Sequence, residues 1–289
     1  MGMLRKAESE FNFAKNSNIE AVLLLSKVYQ KLFQPLSAIK LLDESLKKWP
    51  DHPDVLMQQA RIYTTEIEDS GKSVEFYRKV LNLDRTNVEA LASLAQEYFY
   101  HDHPEIALKM YQQLLSQQSY NEVTKDNQVQ IFNNIGLCCY YIQKPGLAIA
   151  ALRQALNLSN EEDETADIWY NIGLVSTSSG NFLLAKQAYQ MAITISNERH
   201  VQAINNLGVI EFKGGKLELA VGRLEQAQSL VESQEMFVHE VSYNLGCVKE
   251  GRGEFSEAWK SFNKSLEIWP ENTKAQRRLN VLADQFNLS

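Results

Sequence analysis

A small residue that recurs at a regular interval is the feature that most constrains how this chain can fold. The intervals are 34, 35, 41, 37, 35 and 38 residues, and all of these anchors but the second follow Leu or Ile: Ser26, Ala60, Ala95, Gly136, Gly173, Gly208 and Gly246. Periods of this size are typical of repeat architectures. The length of 289 residues fits either one domain or two, so the periodicity is the better guide to the domain organisation.

Other positions repeat with the anchors. Twelve residues after an anchor comes a second small residue, at Ala38, Ala107, Ala148, Ala185, Ala220 and Ala258, with Ser73 one place late in the second repeat. Four further on stands a large apolar residue: Leu42, Tyr77, Tyr111, Leu152, Tyr189, Leu224 and Phe262. After three more, a small residue returns in five repeats: Ser45, Ala155, Ala192, Ala227 and Ser265. Small residues let two helices approach closely and large ones fill the groove between them, so each repeat is predicted to be a helix hairpin.

Each hairpin leaves an apolar face bare, and the next hairpin can cover it. Nearest-neighbour stacking of this kind predicts one α-solenoid with no domain boundary in the usual sense. Trp49-Pro50 and Trp269-Pro270 both fall 24 residues after an anchor, and proline there predicts the end of a helix.

The pattern resembles the tetratricopeptide repeat family, whose repeat is about 34 residues with small residues where the helices cross. The resemblance covers residues 19–272 as seven helix-turn-helix repeats, and it implies an all-α, right-handed superhelix. Within residues 1–18, Ala7, Phe11 and Ala14 have the spacing of a second helix alone, so we expect the chain to be part of a longer protein. Residues 273–289 read as a polar-faced capping helix and tail.

Three stretches depart from the ideal period. Residues 116–128 hold seven residues more than the repeat needs and are polar, which predicts a surface loop or a helix extension and a change in curvature. The acidic run at Glu161 precedes a helix that we expect to begin near Ala166, where negative charge stabilises the helix dipole. Ser233 to Phe237 supplies most of the excess between the last two repeats.

A row of asparagines two residues before the anchor is the sharpest candidate binding feature: Asn134, Asn171, Asn206 and Asn244. The resemblance implies that this part of the first helix lines a concave groove, as in the superhelix of O-linked GlcNAc transferase. A carboxamide both donates and accepts, so such a ladder can hold the backbone of an extended peptide. The alternative is that these amides bond a neighbouring helix and stabilise the stack, as buried amides usually do.

Aromatic residues flank the ladder at Tyr140, Tyr141, Tyr170, Phe212 and Tyr243. They suit a helix or an extended apolar segment of a partner protein. Packing in the core is the commoner role of aromatics at helical spacing and stays open here. A clamp for a terminal carboxylate is not expected, because the residues after the last four anchors are Leu137, Leu174, Val209 and Cys247.

Several classes of function are disfavoured. A net charge of -7 and a pI of about 5.4 argue against nucleic acid, and the densest apolar stretch is too short to span a bilayer. We expect no metal, because Cys138, Cys139 and Cys247 lack metal-ligand spacing and His101-Asp102-His103-Pro104 reads as a turn. We expect no cofactor and no catalysis, because phosphate-binding loops and nucleophile motifs are missing from the sequence.

A narrower resemblance is to the tetratricopeptide subunits among the Bardet-Biedl syndrome proteins, carried by Tyr98–Leu115, Ile131–Tyr141, Ala166–Leu174 and Ala203–Glu211. It implies a cytoplasmic subunit of the BBSome that contacts the other subunits, with membrane cargo and a small GTPase engaged by the assembly at the cilium and its base. Two other classes stay open: an adaptor that binds short linear motifs, and the regulatory repeat region of a larger enzyme.

Overall fold

The structure is a computed structural model that describes residues 5–7, 9–11, 18–116, 125–231 and 237–286. All the regular structure within these ranges is helical. The chain divides into two compact units, Met1–Thr124 and Lys125–Ser289. The division falls inside the polar stretch at residues 116–128, where the repeat carries its extra residues.

Among its described residues, the first unit contains three helix hairpins. Their helices are α1 (Ile19–Lys31), α2 (Pro35–Lys48), α3 (Pro53–Ile62), α4 (Ser70–Leu83), α5 (Val88–Tyr100) and α6 (Pro104–Ser116). Each odd-numbered helix packs against the next even-numbered one, and each hairpin contacts its neighbour. Arg5–Ala7 and Ser9–Phe11 are also helical, and Phe11 packs against the core of the first repeat. Ala14, from the predicted N-terminal helix, lies outside the described residues.

The described part of the second unit contains four hairpins and one further helix after them. They are α7 (Lys125–Tyr141), α8 (Pro145–Leu158), α9 (Glu162–Ser178), α10 (Phe182–Ile195), α11 (Val201–Lys213), α12 (Leu217–Val231), α13 (Val238–Gly251), α14 (Phe255–Ile268) and α15 (Thr273–Phe286). The first helix of each hairpin also contacts the first helix of the next one, so α7, α9, α11 and α13 lie side by side. The predicted all-α arrangement of stacked helix hairpins is confirmed.

The two helices of each hairpin meet at the predicted small residues. All seven anchors are buried, and the large residue predicted opposite each one is at most 2% exposed. A β-carbon added at Gly173 would lie 2.5 Å from the Tyr189 ring, and one at Gly246 would lie 2.6 Å from the Phe262 ring. Glycine is therefore needed at these crossings because the partner side chain occupies the space of a β-carbon.

The one irregular repeat has a local cause. In the second repeat Ser73 comes one residue late, and Tyr63–Ile67 forms a π-helical turn directly after α3. A π turn holds one residue more than an α turn, so it absorbs the extra residue. Ser73 is consequently fully buried like the second small residue of the other repeats.

The helix ends match the sequence in two places and differ in a third. Helix α2 ends at Lys48 and α14 ends at Ile268, each just before the Trp-Pro pair, as predicted. Helix α9 begins at Glu162, four residues before the predicted start near Ala166. The acidic residues form its first turn instead of preceding it, because carboxylates there interact favourably with the positive end of the helix dipole.

Two of the predicted insertions fall largely outside the described residues. Helix α6 ends at Ser116 and α7 begins at Lys125, so the described parts of the first insertion are helix ends. Of the stretch from Ser233 to Phe237, only Phe237 is described, and of the predicted C-terminal tail 287–289 nothing is. Among the described residues no helix is both long and apolar enough to cross a bilayer.

Substituting the crossing glycines tests this packing. We expect Gly173→Ala to lower the free energy of unfolding by about 2 kcal/mol, because the new methyl group overlaps the Tyr189 ring. The matched control is Gly222→Ala in α12, where nothing lies within 4 Å of the added carbon. Alanine is the better helix former, so this control should raise stability by about 0.5–1 kcal/mol. Urea unfolding followed by circular dichroism measures both, and equal effects would contradict the close packing.

Candidate functional site

The four ladder asparagines lie on the four neighbouring first helices of the second unit, and each is half-buried. Asn171 on α9 donates a hydrogen bond from Nδ2 to Oδ1 of Asn133 on α7, over 2.9 Å. Asn244 on α13 makes the same bond to Oδ1 of Asn205 on α11, also over 2.9 Å. These two ladder amides therefore join neighbouring first helices.

Asn206 completes the series between α11 and α9. Its side chain hydrogen-bonds to Tyr170 on α9 and donates from Nδ2 to the Tyr189 hydroxyl on α10 over 3.4 Å. Asn171, Asn206 and Asn244 share one pattern. Each lies two residues before the anchor of its own repeat and contacts the residue that lies three before the anchor of the preceding repeat. The contacted residues are Asn133, Tyr170 and Asn205.

Asn205 is the residue that sequence reasoning missed. It is only 3% exposed, accepts from Asn244, and donates from Nδ2 to Asn206 Oδ1 at 3.2 Å and to Glu240 Oε1 at 3.4 Å. The sequence pattern that could have identified Asn205 is the pair of adjacent asparagines, which occurs at 133–134 and again at 205–206. A buried amide needs several partners, and this one has three.

The internal bonds use only part of the ladder's capacity. A carboxamide offers two donor hydrogens and two acceptor lone pairs. Among the described residues, the side chains of Asn171 and Asn244 each form one hydrogen bond, as a donor. Each therefore keeps its carbonyl oxygen and one N–H for water or for a partner.

A cleft of about 210 Å³ opens beside the ladder between α9, α11 and α13. Its walls include Tyr170, Asn205, Asn206, Phe237 and Glu240. We name the exposed sides of α7, α9, α11 and α13, with this cleft, the ladder face. It combines amides, one carboxylate and apolar ring surface, which suits a peptide backbone flanked by apolar or basic side chains.

Two of the predicted aromatics lie at the C-terminal end of α7. Tyr140 and Tyr141 are in edge contact with ring centroids 5.1 Å apart, and Tyr141 is 56% exposed. With Pro145, Ser178 and others they line a second cleft of about 480 Å³. They are six and seven residues beyond Asn134, which places them about 9–10 Å further along the helix.

Two other predicted aromatics are engaged in core packing. Phe212 packs against Gly251 and against the apolar cluster that includes Leu224 and Leu245. The Tyr243 ring lies 5.7 Å from the Phe262 ring in the cluster under α15. Both are nevertheless half-buried, so part of each side chain is open to solvent.

Tyr170 is the aromatic most closely tied to the ladder. Its ring lies 5.0 Å from the His200 ring and 5.9 Å from the Tyr189 ring. Burial raises the pKa of Tyr170 to about 12, the nearby Tyr189 and Glu240 add to the rise, and the hydrogen bond with Asn206 opposes it. The hydroxyl is therefore neutral at physiological pH and can donate or accept.

The cysteines do not form an activated nucleophile. Cys138 and Cys139 are buried, and burial raises the pKa of Cys138 to about 12 and also raises that of Cys139 and Cys247. A thiol with a raised pKa stays protonated at neutral pH and reacts slowly.

The histidine group lies in a turn. His101 and Asp102 connect α5 to α6, and the His101 ring contacts the Glu97 carbonyl at 2.8 Å. Across the described part of the chain, no group of three His, Cys, Asp or Glu side chains could hold a metal ion.

Comparisons with known sequences match two stretches of the chain to a repeat family and nearly the whole chain to proteins that carry its name. The tetratricopeptide repeat model matches residues 53–87 and 166–199. Tetratricopeptide repeat protein 8 of Mus musculus is 35% identical over 288 residues, which is 99% of this chain and 53% of that protein. The BBSome complex member BBS4 homolog of Drosophila melanogaster is 25% identical over 254 residues, 86% of this chain and 50% of that protein. The chain thus spans about half the length of these relatives.

Solved structures support the fold. A tetratricopeptide repeat protein from Parabacteroides merdae aligns over 91% of this chain and 98% of its own, with a TM-score of 0.69 and 16% identity. PilW, a type IV pilus biogenesis factor, aligns over 78% of this chain and 98% of its own, with a TM-score of 0.65 and 20% identity. At these identities the likeness concerns the α-solenoid fold alone.

The raised pKa of Tyr170 predicts a loss of stability in alkali. In the folded chain the pKa of Tyr170 is about 12, above the ordinary tyrosine value of 10.0. The protonated hydroxyl therefore contributes its full stability to the fold below about pH 10, and this contribution is lost as the pH rises toward 12. Tyr170→Phe should therefore lose less stability than wild type between about pH 9 and pH 11.5. Tyr100→Phe, at a tyrosine that is 73% exposed, is the control. Thermal melts across this range check the expectation, and a Tyr170→Phe curve parallel to wild type would contradict it.

Proposed function

Because this chain is built from tetratricopeptide repeats, we propose that it is a non-enzymatic scaffold whose ladder face holds a segment of another protein, as a structural subunit of the BBSome. The observation that carries the scaffold role is the row of half-buried amides on four neighbouring helices, each in the same position of its repeat. The proposal includes Tyr140, Tyr141, Tyr170, Phe212 and Tyr243 as flanking partner contacts.

The spacing of the ladder suits an extended peptide. Packed helices lie about 8–10 Å apart, and an extended chain advances about 3.3 Å per residue, so successive ladder positions match about every third residue of a peptide. Asn171 and Asn244 each keep one donor and one acceptor for that peptide's backbone. Because backbone groups are the same for every sequence, specificity must come from the adjacent cleft with Tyr170 and Glu240.

Two relatives support placing the chain in the BBSome. One is tetratricopeptide repeat protein 8, at 35% identity across nearly the whole chain, and the other is named as a BBSome complex member. On the Bardet-Biedl resemblance, the proposal includes a role in moving membrane proteins into and out of cilia, in the cytoplasm near the ciliary base. Cargo and a small GTPase would be engaged through the assembly and not by this chain alone.

A second candidate is an adaptor that binds short extended peptides on its own. The 210 Å³ cleft beside the ladder favours it, because the cleft is large enough for one or two side chains of a peptide. An adaptor would bind a short peptide as an isolated, monomeric protein, whereas a complex subunit would require large surfaces of its partners. The adaptor and the complex subunit therefore differ in whether a short peptide of the partner is sufficient for binding.

Co-purification tests BBSome membership. The tagged full-length protein from ciliated cells should bring down the other BBSome subunits in a stoichiometric complex, identified by mass spectrometry. The same tag on an unrelated tetratricopeptide repeat protein is the control. Recovery of the protein without any other BBSome subunit would contradict the assignment, and recovery with one short-motif protein would support the adaptor.

Removing ladder amides separates a binding role from a structural one. We expect Asn171→Ala with Asn244→Ala to weaken partner association about tenfold, because two backbone contacts are lost, with only a small fall in melting temperature, because each residue makes one internal hydrogen bond. The control is Asn272→Ala, which removes the buried cap of α15 and its bond to Ser265. It should lower the melting temperature and leave association unchanged. If the double variant lost stability and association to the same degree, the ladder would be structural.

A further inference from the structure

A second surface lies on the opposite end of the helices from the long inter-repeat connections. It is formed by the turns that join first to second helices in three consecutive repeats, residues 141–147, 178–183 and 213–219, and we call it the turn edge. Five large apolar side chains are exposed there, each within two residues of the end of a helix: Tyr141 56%, Leu147 57%, Phe182 48%, Leu183 72% and Leu219 55%. Apolar residues clustered at one edge of an otherwise polar surface mark an interaction site.

The three turns share one backbone geometry. Gln143, Gly180 and Gly215 have positive φ values of 59°, 78° and 75°. In each turn the next residue donates its N–H to a carbonyl five residues back, at 2.8–2.9 Å, from Lys144, Asn181 and Lys216. Leu147 and Leu219 therefore lie at equivalent places, four residues after the positive-φ residue, and Leu183 lies one place earlier in its turn. Because backbone hydrogen bonds hold the three turns, a partner would not have to order them.

The charge of the turn edge differs in sign from that of the whole chain. Its charged side chains are Lys144, Lys213, Lys216 and Glu218, in a chain with net charge -7. Glu218 lies 3.5 Å from Arg252 of the next turn, while none of the three lysines forms an ion pair with a described residue. Lysines without carboxylate partners beside apolar side chains are complementary to a segment that carries Asp or Glu beside apolar residues.

The 480 Å³ cleft lies in this edge, between the ends of α7 and α9. Tyr140, Tyr141 and Pro145 supply apolar walls, and Gln143, Ser178 and Ser179 supply polar groups. The two serine hydroxyls donate to the Val175 carbonyl, so their oxygens remain acceptors for an N–H of a partner. Directed polar groups around a concave pocket suit a protein side chain and its backbone more than they suit lipid tails.

We propose that the turn edge binds an acidic amphipathic segment of a partner protein, with an apolar side chain in the cleft and carboxylates on Lys144, Lys213 and Lys216. The turn edge shares Tyr140 and Tyr141 with the partner contacts proposed for the ladder face, but its lysines and leucines are separate from the ladder asparagines. The proposal for the turn edge does not depend on whether the chain is a BBSome subunit.

Selection from a displayed library of random peptides on the purified full chain tests the site. We expect enriched peptides to carry Asp or Glu beside Leu, Ile, Phe or Trp. A fluorescein-labelled synthetic copy of the most enriched peptide should bind Lys144→Glu/Lys213→Glu/Lys216→Glu at least about tenfold more weakly than wild type, since three attractive charges become repulsive. Leu147→Ser/Leu183→Ser should also weaken binding of the peptide, because apolar contacts are lost.

Matched variants locate the effect. Lys27→Glu/Lys31→Glu/Lys40→Glu makes the same charge change at exposed lysines of the first unit and should leave peptide affinity unchanged. Asn171→Ala/Asn244→Ala should also leave the peptide affinity unchanged, which distinguishes the turn edge from the ladder asparagines. Enriched peptides without acidic residues, or with equal affinity for both triple variants, would overturn the proposal. A further outcome would also overturn the proposal: the wild type sediments with phosphatidylserine vesicles, the Lys144/Lys213/Lys216 variant does not, and both bind the peptide with the same affinity.

Discussion

The contact between a small residue on one helix and a large side chain on the next is the interaction on which the whole structure depends. It occurs once per repeat and brings the two helices close enough to bury both partners. At Gly173 and Gly246 the ring of the second helix fills the space of a β-carbon. Because dispersion and apolar burial are strongest at such close approach, each hairpin has one preferred crossing.

That crossing also positions the candidate binding surface. It fixes the rotation of the first helix about its axis, so a residue two places before the anchor always lies in the same direction. Asn171 and Asn244 illustrate the result, since each reaches back to the preceding first helix with the same bond and the same 2.9 Å length. The turns at the helix ends are repeated for the same reason, which gathers Leu147, Leu183 and Leu219 at one edge.

Much of this could be predicted from the sequence, because spacing along a helix determines which residues share a face. The anchors, their partners and the helix ends at Trp49 and Trp269 follow from spacing alone. The bonds of Asn205 could not be predicted, since they depend on how one repeat sits on the next. Spacing also cannot separate an aromatic in a groove from one in the core, as Phe212 shows. The early start of α9 reflects a charge effect at Glu162 that has no periodicity.

A double-mutant cycle at the last crossing tests the central claim most directly. Unfolding free energies would be measured for Gly246→Ala, Phe262→Ala and the double variant. If the ring and the glycine occupy one space, Gly246→Ala destabilises the wild type by about 2 kcal/mol but stabilises the Phe262→Ala background by up to about 1 kcal/mol. The same destabilisation in both backgrounds would show that the two residues do not meet, and would contradict the account.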